Sequence, residues 1–120
     1  MGFFSNLFKP KLKHPEDYYN ITITDEFVRV EHPKINTEQI AWFEIEGVKL
    51  INTNKGPAAP DIWLTLIGKN SGCMIPQGAK GYEEVYEIVS KFENFDFQKV
   101  IESMTCTDNQ EFLLWKREIQ

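Results

Sequence analysis

The sequence predicts an α+β domain in which a curved, antiparallel meander of strands precedes two amphipathic helices. Two observations lead to this class. Between residues 21 and 76, alternating and β-branched segments are separated by short polar turns, as in consecutive strands. After residue 81, apolar residues recur every three or four positions instead, which is the period of a helix. We therefore expect strands in the first part of the chain and helices after them.

The strand segments begin with a hairpin in which residues 21–24 and 27–31 flank a two-residue polar turn. Residues 40–52 are predicted as the longest strand, after a short turn at 37–39. Within it the apolar positions change parity near Gly47, which indicates a bulge or bend. Residues 62–67 are apolar on both faces, as is typical of a central, covered strand. A short strand at 73–75 completes the meander.

Two helices follow a loop at residues 77–81. The apolar side of the first contains Tyr82, Val85, Tyr86, Val89 and Phe92. Asp96 is the expected N-cap of the second helix. The apolar residues of this helix are expected to cover the sheet; they are Phe97, Val100, Ile101 and Met104. Residues 112–115 predict a final strand at the sheet edge, with a third helix capped by residues 107–110 as the alternative.

Charge is distributed unevenly along the 120 residues, whose net charge is -5. Residues 1–14 contain three lysines and no acid, so they contribute +3 and the remaining residues carry -5 - 3 = -8. Because an acidic body repels phosphate backbones, we expect no nucleic-acid binding. We divide the chain into an N-terminal arm, 1–15, and a single α+β domain, 16–120.

Residues for metal, cofactor or nucleophilic chemistry are sparse. The histidines are His14 and His32, far apart in sequence, and no cysteine pair has metal-ligand spacing, so no metal site or cofactor is predicted. Cys73 and Cys106 are interpreted as reduced thiols, which favours a cytoplasmic protein. No stretch approaches the ~20 apolar residues of a membrane-spanning helix.

One pair of carboxylates is a candidate for catalysis. Glu44 and Glu46 share a face of the predicted strand, where they would form a general acid/base pair. Charges normally stay in solvent, so a solvated sheet face is the preferred interpretation. No catalytic residue is therefore assigned, and a small enzyme that uses this pair is the third of three functional hypotheses.

The loop around residues 54–63 is the first candidate for binding a partner protein. Its prolines stiffen an exposed segment, and rigid loops lose less entropy on binding. Trp63 at its edge has the character of an interface anchor, although a core tryptophan beside a structural loop is the alternative. The predicted partner-binding residues are Lys55, Pro57, Pro60, Asp61 and Trp63.

The N-terminal arm is the second candidate, for binding an anionic membrane surface. It combines apolar residues with lysines, as interfacial anchors do. The residues concerned are Phe3, Phe4, Leu7, Phe8, Lys9, Lys11 and Lys13. An arm that packs on its own domain, or a disordered tail, is the alternative.

Residues 21–76 resemble the bacterial pleckstrin-homology-like domains. The resemblance rests on the hairpin at 21–28 and on residues 39–48, which are similar to the "I-x-W-x-x-I-x-x-V" strand of that family. It implies a curved antiparallel sheet closed at one end by a helix, and either binding of proteins or lipid headgroups or a purely structural role. The early hairpin turn lacks a lysine or arginine cluster, so phosphoinositide binding is not implied. The chain as a whole also resembles small bacterial proteins for which no activity can be named.

These observations favour a non-catalytic module that recognises another protein. An acidic body suits a basic partner, by analogy with an immunity protein that binds a basic nuclease toxin. Peripheral membrane association through the arm is the second hypothesis.

Overall fold

A computed structural model describes residues 14–54, 61–106 and 108–118. Its strands and helices follow one another along the chain in an α+β arrangement. They are β1 (Asn20–Ile23), β2 (Phe27–His32), β3 (Ile35–Ala41), β4 (Ile45–Asn52), β5 (Ile62–Gly68), β6 (Gly72–Pro76), α1 (Tyr82–Val89), α2 (Phe97–Thr105) and β7 (Gln110–Lys116). Short 3-10 turns cover Pro15–Tyr18 and Trp42–Glu44. Among the described residues, none of the helices has the length and apolar character needed to cross a membrane.

The strands form two antiparallel sheets. The three-stranded sheet has the order β1-β2-β3, and the four-stranded sheet has the order β6-β5-β4-β7. The predicted α+β class, the first hairpin and the central position of β5 are confirmed. The return of β7 to the sheet edge is also confirmed, since β7 pairs with β4 in a register that places Leu50 opposite Phe112.

The prediction of one long strand over residues 40–52 is wrong. The chain leaves β3 at Ala41, makes a 3-10 turn and enters the other sheet at Ile45. Two side-chain bonds hold this turn: Trp42 Nε1 donates to the Thr24 carbonyl at 2.7 Å, and Glu44 Oε1 accepts from the Ala41 amide at 3.1 Å. Pattern alone misses the break because the apolar residues continue through the turn.

Two further local features concern β3 and β4. Residues 37–39 belong to β3 rather than to a turn; their polar character reflects the exposed side of this edge strand. The irregularity predicted near Gly47 is confirmed, since Ile45 pairs with Gly68 but Gly47 pairs with Ile67, which leaves one extra residue in β4.

One apolar core joins both sheets and both helices. Its fully buried side chains include Val28 and Ile40 from the three-stranded sheet, Leu64 and Leu66 from β5, and Val85 from α1. Between the sheets, the Met74 amide donates to Glu38 Oε1 at 2.9 Å, and Cys73 Sγ lies 3.7 Å from the Val28 carbonyl oxygen.

Each helix confirms a different part of the sequence prediction. In α1 the predicted apolar side is buried through Tyr82, Val85 and Val89, whereas Phe92 lies beyond the helix and packs on Trp115 at 4.7 Å between ring centroids. In α2 the predicted N-cap is confirmed, because Asp96 Oδ1 accepts from the Lys99 amide at 3.1 Å.

Candidate functional site

An apolar surface on α2 faces solvent, contrary to the sequence prediction. Phe97, Ile101 and Met104 are 53%, 55% and 71% exposed. Their spacing of i, i+4 and i+7 places them on one side of the helix. We call these three residues the apolar stripe of α2. The expectation that they cover the sheet is wrong.

Of the four residues predicted to face the sheet, Val100 is buried as expected, and it shares the buried side of α2 with Ser103. Ser103 satisfies its hydroxyl within the helix by donating to the Val100 carbonyl at 2.7 Å. A small side chain with no unsatisfied donor lets the helix approach the end of β4 closely. At the first turn, Phe97 retains one aromatic contact, with Phe95 at 4.8 Å. The helix therefore packs through a narrow strip and leaves its larger apolar residues outside.

A cavity of about 270 Å³ adjoins the stripe, and Met104 belongs to both. It lies where the end of β4, the start of β5 and the end of α2 meet. The lining residues are mostly polar: Asn52, Thr53, Asn54, Asp61, Ile62, Ser103, Met104, Cys106 and Asp108. A water molecule occupies about 30 Å³ in the liquid, so the cavity has room for the head of a side chain or a small organic group.

Asn52 and Ser103 are the buried polar residues among those described as lining this cavity, with 5% and 2% of their surface exposed. The Asn52 side chain donates through Nδ2 to the main-chain carbonyls of Ser103, at 2.9 Å, and Cys106, at 3.4 Å. Its Oδ1 is buried without a hydrogen-bond partner in the structure. Buried polar atoms are normally paired, and among the described residues this oxygen is one of three buried side-chain atoms without a partner, with Thr65 Oγ1 and Ser71 Oγ.

The charge around the cavity is negative. Asp61 and Asp108 supply exposed carboxylates, and no lysine or arginine occurs among the described lining residues. Two lysines on the neighbouring elements each form an ion pair with a glutamate. Lys99 lies 3.5 Å from Glu102 on α2, and Lys49 lies 3.0 Å from Glu111 across β4 and β7. We call this feature the acidic cavity.

The residues predicted to bind a partner do not lie together in the structure. Asp61 lines the acidic cavity, and its main-chain carbonyl accepts from the Thr53 amide at 2.7 Å. Trp63 instead lies in β5 away from the cavity, and packs edge-on against Tyr19 with the ring centroids 5.7 Å apart. The remaining predicted residues, Lys55, Pro57 and Pro60, lie outside the described residues.

The seven arm residues predicted to meet a membrane, Phe3, Phe4, Leu7, Phe8, Lys9, Lys11 and Lys13, also lie outside the described residues. Membrane association therefore stays a prediction.

The two carboxylates considered for acid/base chemistry do not share a strand face. Glu44 lies in the 3-10 turn, where its side chain accepts from the Ala41 amide, and Glu46 is the extra residue of the bulge in β4. Both are exposed, and neither lines the acidic cavity. The predicted pairing on one strand face is wrong because the strand begins only at Ile45.

The cysteines are free thiols in different surroundings. Burial, and after it the Glu38 carboxylate, raises the pKa of the Cys73 thiol to about 12. Cys106 is half-buried and lines the acidic cavity, with Sγ 3.4 Å from Gln110 Oε1.

Sequence reasoning missed the contribution of Asn52 and Ser103. One signal was present: Val48, Leu50 and Asn52 alternate along β4, so the amide occupies a position with core parity. A polar residue at such a position requires buried partners.

Comparison of the chain with protein-family models, curated proteins and solved structures finds no match.

Proposed function

We propose that this protein is a non-catalytic module that binds a basic partner protein through the apolar stripe of α2 and the acidic cavity beside it. The observation that carries the proposal is the stripe itself, because three large apolar side chains of one helix are more than half exposed. Contiguous exposed apolar side chains rimmed by polar groups are characteristic of interaction surfaces.

The composition of the stripe supports a protein partner. Phenylalanine and methionine are enriched in protein interfaces, and methionine adapts its shape to different partner surfaces. Residues spaced i, i+4 and i+7 form a continuous ridge about two turns long, the type of surface that packs into an apolar groove. The polar rim is provided by the acidic cavity at the Met104 end.

Charge supports a basic partner. The chain from residue 15 onward carries a net charge of -8, from 10 lysines and arginines against 18 acids, and Asp61 and Asp108 add their carboxylates directly beside the stripe. Opposite potentials steer two proteins together and suppress binding of partners of like charge. An immunity-type protein that neutralises a basic toxin is one instance of this chemistry.

The cellular setting and the family belong to the same proposal. Two free cysteines support a reducing, cytoplasmic location. The hairpin formed by β1 and β2, together with the antiparallel pairing of β4, β5 and β6, supports the resemblance to bacterial pleckstrin-homology-like domains.

The test places a photo-crosslinking amino acid at Met104 in the full chain, expressed in its own cells, and at Phe43 as the matched control. Phe43 is also apolar and is 81% exposed, but it lies in the turn before β4, outside the stripe. We expect a cross-link from position 104 to a protein of net positive charge, and none from position 43.

The partner protein identified by the cross-link is then purified on its own. It is titrated by calorimetry with the unmodified chain and with two variants. Ile101→Glu should weaken binding at least about tenfold, which corresponds to about 1.4 kcal/mol. Phe43→Glu should leave the affinity unchanged, and added salt should slow association. An acidic partner, or equal loss in both variants, contradicts the proposal. So does sedimentation of the protein alone as a dimer that Ile101→Glu dissociates, since the stripe would then bind a second copy of this chain.

A further inference from the structure

We propose that residues 1–13 of the N-terminal arm cover the outer face of the four-stranded sheet of their own chain. The outer sheet face is the side turned away from the core, and its apolar residues are Ile51, Trp63, Ile67, Met74 and Leu113. This inference does not rest on the proposed function, because it concerns a surface distinct from the apolar stripe of α2.

The strand register brings these side chains together. Residues directly opposite each other in antiparallel strands share a face. One row across β7, β4, β5 and β6 consists of Leu113, Lys49, Thr65 and Met74. Ile51 and Trp63 form a pair in the next row, and Ile67 lies two residues beyond Thr65 on β5. The alternate positions, such as Leu50 and Leu64, are buried in the core, so these rows point to the other side.

The described elements pack on the opposite side of this sheet. The three-stranded sheet, α1 and α2 contribute Val28, Val85 and Val100 to the core. On the outer sheet face, Leu113 is 46% exposed and the other four apolar residues are partly exposed. An antiparallel sheet with one face in water normally carries polar residues on that face. Five apolar residues there indicate a surface that another segment covers.

The described chain begins at a margin of this face. The Tyr19 ring packs edge-on against the Trp63 indole, with the ring centroids 5.7 Å apart. Three residues earlier, Glu16 lies beside the loop that follows β6, since a Cβ built on Gly78 would be 3.0 Å from Glu16 Cγ. Residues 1–13 therefore continue from a point near β6, the edge strand of the four-stranded sheet.

Residues 1–13 are long enough and apolar enough to cover the face. Four strands span about 15 Å, whereas a segment of this length spans about 20 Å as a helix and up to about 45 Å when extended. Transfer of large apolar side chains from water onto an apolar surface is favourable. The segment contributes Phe3, Phe4, Leu7 and Phe8.

Charge complementarity supports this occupant over a second copy of the chain. The three lysines of residues 9–13 connect the apolar part of the segment to the margin, where Glu16 lies. Glu38 is at the same margin, because its Oε1 accepts from the Met74 amide at 2.9 Å. Burial, and after it the Glu38 carboxylate, raises the pKa of Tyr19, which places this carboxylate near the ring. Two copies of the acidic body would instead repel each other.

The test places the photo-crosslinking residue p-benzoylphenylalanine at position 4 of the full chain and identifies the cross-linked residues by mass spectrometry. The substitution exchanges one aromatic side chain for another. Phe97 is the matched control position, since it is 53% exposed on α2, which packs on the core side of the sheet. We expect cross-links within one chain from position 4 to Met74 or Leu113, and none from position 97 to these residues.

A variant of the outer sheet face should lower the yield of this cross-link. Leu113→Lys places a charge against apolar side chains and should reduce the yield at least about fivefold. Met104→Lys, the matched control, introduces the same charge at an apolar residue of α2 that is 71% exposed, and should leave the yield unchanged. Circular dichroism of both variants checks that the fold is retained.

Neutral lysine replacements test the contribution of charge. The triple variant Lys9→Gln, Lys11→Gln and Lys13→Gln should lower the yield about threefold. The control replaces three exposed lysines outside the outer sheet face, and should not lower the yield; they are Lys69, Lys80 and Lys91.

Several outcomes would overturn the inference. They are cross-links from position 4 spread over the whole surface, cross-links between two copies of the chain, and equal losses in Leu113→Lys and Met104→Lys or in the two lysine sets. A further one is loss of the cross-link when the protein sediments with vesicles of phosphatidylcholine and about 30% phosphatidylserine. Residues 1–13 would then bind a membrane surface in preference to the sheet.

Discussion

The side-chain amide of Asn52 donates a hydrogen bond of 2.9 Å to the main-chain carbonyl of Ser103, and this bond joins the end of β4 to α2. The Ser103 hydroxyl is itself bonded to the Val100 carbonyl, so it does not compete for this contact. Since Asn52 and Ser103 are both buried, the bond is shielded from water. It sets which side of α2 faces the sheet and therefore which side is left to solvent.

Replacement of this amide should destabilise the protein. Asn52→Ala removes the side-chain donor to the Ser103 and Cys106 carbonyls, although the Ser103 carbonyl keeps the Cys106 amide at 3.3 Å, and losing such buried hydrogen bonds costs about 1–3 kcal/mol. We expect the free energy of unfolding, measured by urea denaturation, to fall by this amount. Asn36→Ala, on the exposed part of β3, is the control and should stay within about 0.5 kcal/mol. Equal effects of the two substitutions would show that the Asn52 contacts contribute nothing.

Arg117 should be more important to stability than its exposed position suggests. Its Nε and Nη2 donate to the Ile45 carbonyl at 3.0 and 2.7 Å, and Nη2 also donates to the Phe43 carbonyl at 3.2 Å. These bonds fix the chain where it enters β4. Lysine lacks the fork that makes them together, so Arg117→Lys should lower the free energy of unfolding by about 1 kcal/mol.

The reciprocal substitution at the neighbouring position is the control for Arg117. Lys116→Arg changes an exposed side chain at the end of β7 and should leave the urea midpoint nearly unchanged. A stability unaffected by Arg117→Lys would mean that water replaces the three hydrogen bonds at no cost.

The two thiols should react with a disulfide reagent at very different rates. The pKa of Cys73 is raised to about 12 by burial and by Glu38, so this thiol stays protonated at a pH where an ordinary cysteine, with a pKa of about 8.5, ionises. Because the thiolate is the reactive form, the native protein should react rapidly at one thiol per chain, Cys106. Between about pH 7 and about pH 9 the Cys73 thiol should stay protonated and therefore slow to react.

Single substitutions assign the two reactions. Cys106→Ser should abolish the fast reaction, and Cys73→Ala should leave it intact, with the second thiol appearing only in denaturant. Comparable rates for the two thiols in the native protein would contradict the burial of Cys73.

The features that sequence predicts best are those fixed by residues close together in the chain. The hairpin of β1 and β2 follows from alternating residues around one turn, and the start of α2 follows from Asp96 as its N-cap. The break at Trp42 was not predictable in this way. It depends on the indole bond to the Thr24 carbonyl, 18 residues earlier in the chain.

The packed side of α2 was predicted wrongly for a related reason. The apolar spacing predicts that Phe97, Val100, Ile101 and Met104 face the sheet together, and of these four residues only Val100 is buried. Ser103 lies on the buried side instead of the larger apolar residues, and its main-chain carbonyl accepts from Asn52 Nδ2. The acidic cavity was likewise hidden, because its walls come from three segments that only the fold brings together; of the predicted partner-binding residues, Asp61 belongs to it.

The pairing of β7 with β4 has a consequence for the order of events during synthesis. Lys49 and Glu111, which form an ion pair across these strands, are separated by 62 residues in the chain. On the ribosome, β4 therefore emerges long before the strand that covers its edge, and contacts of such separation close slowly. Until then Val48 and Leu50 belong to an open edge, where association with other chains is favoured. Because α2 packs against β7 as well as β4, the packing of its buried side is complete only after this last pairing forms.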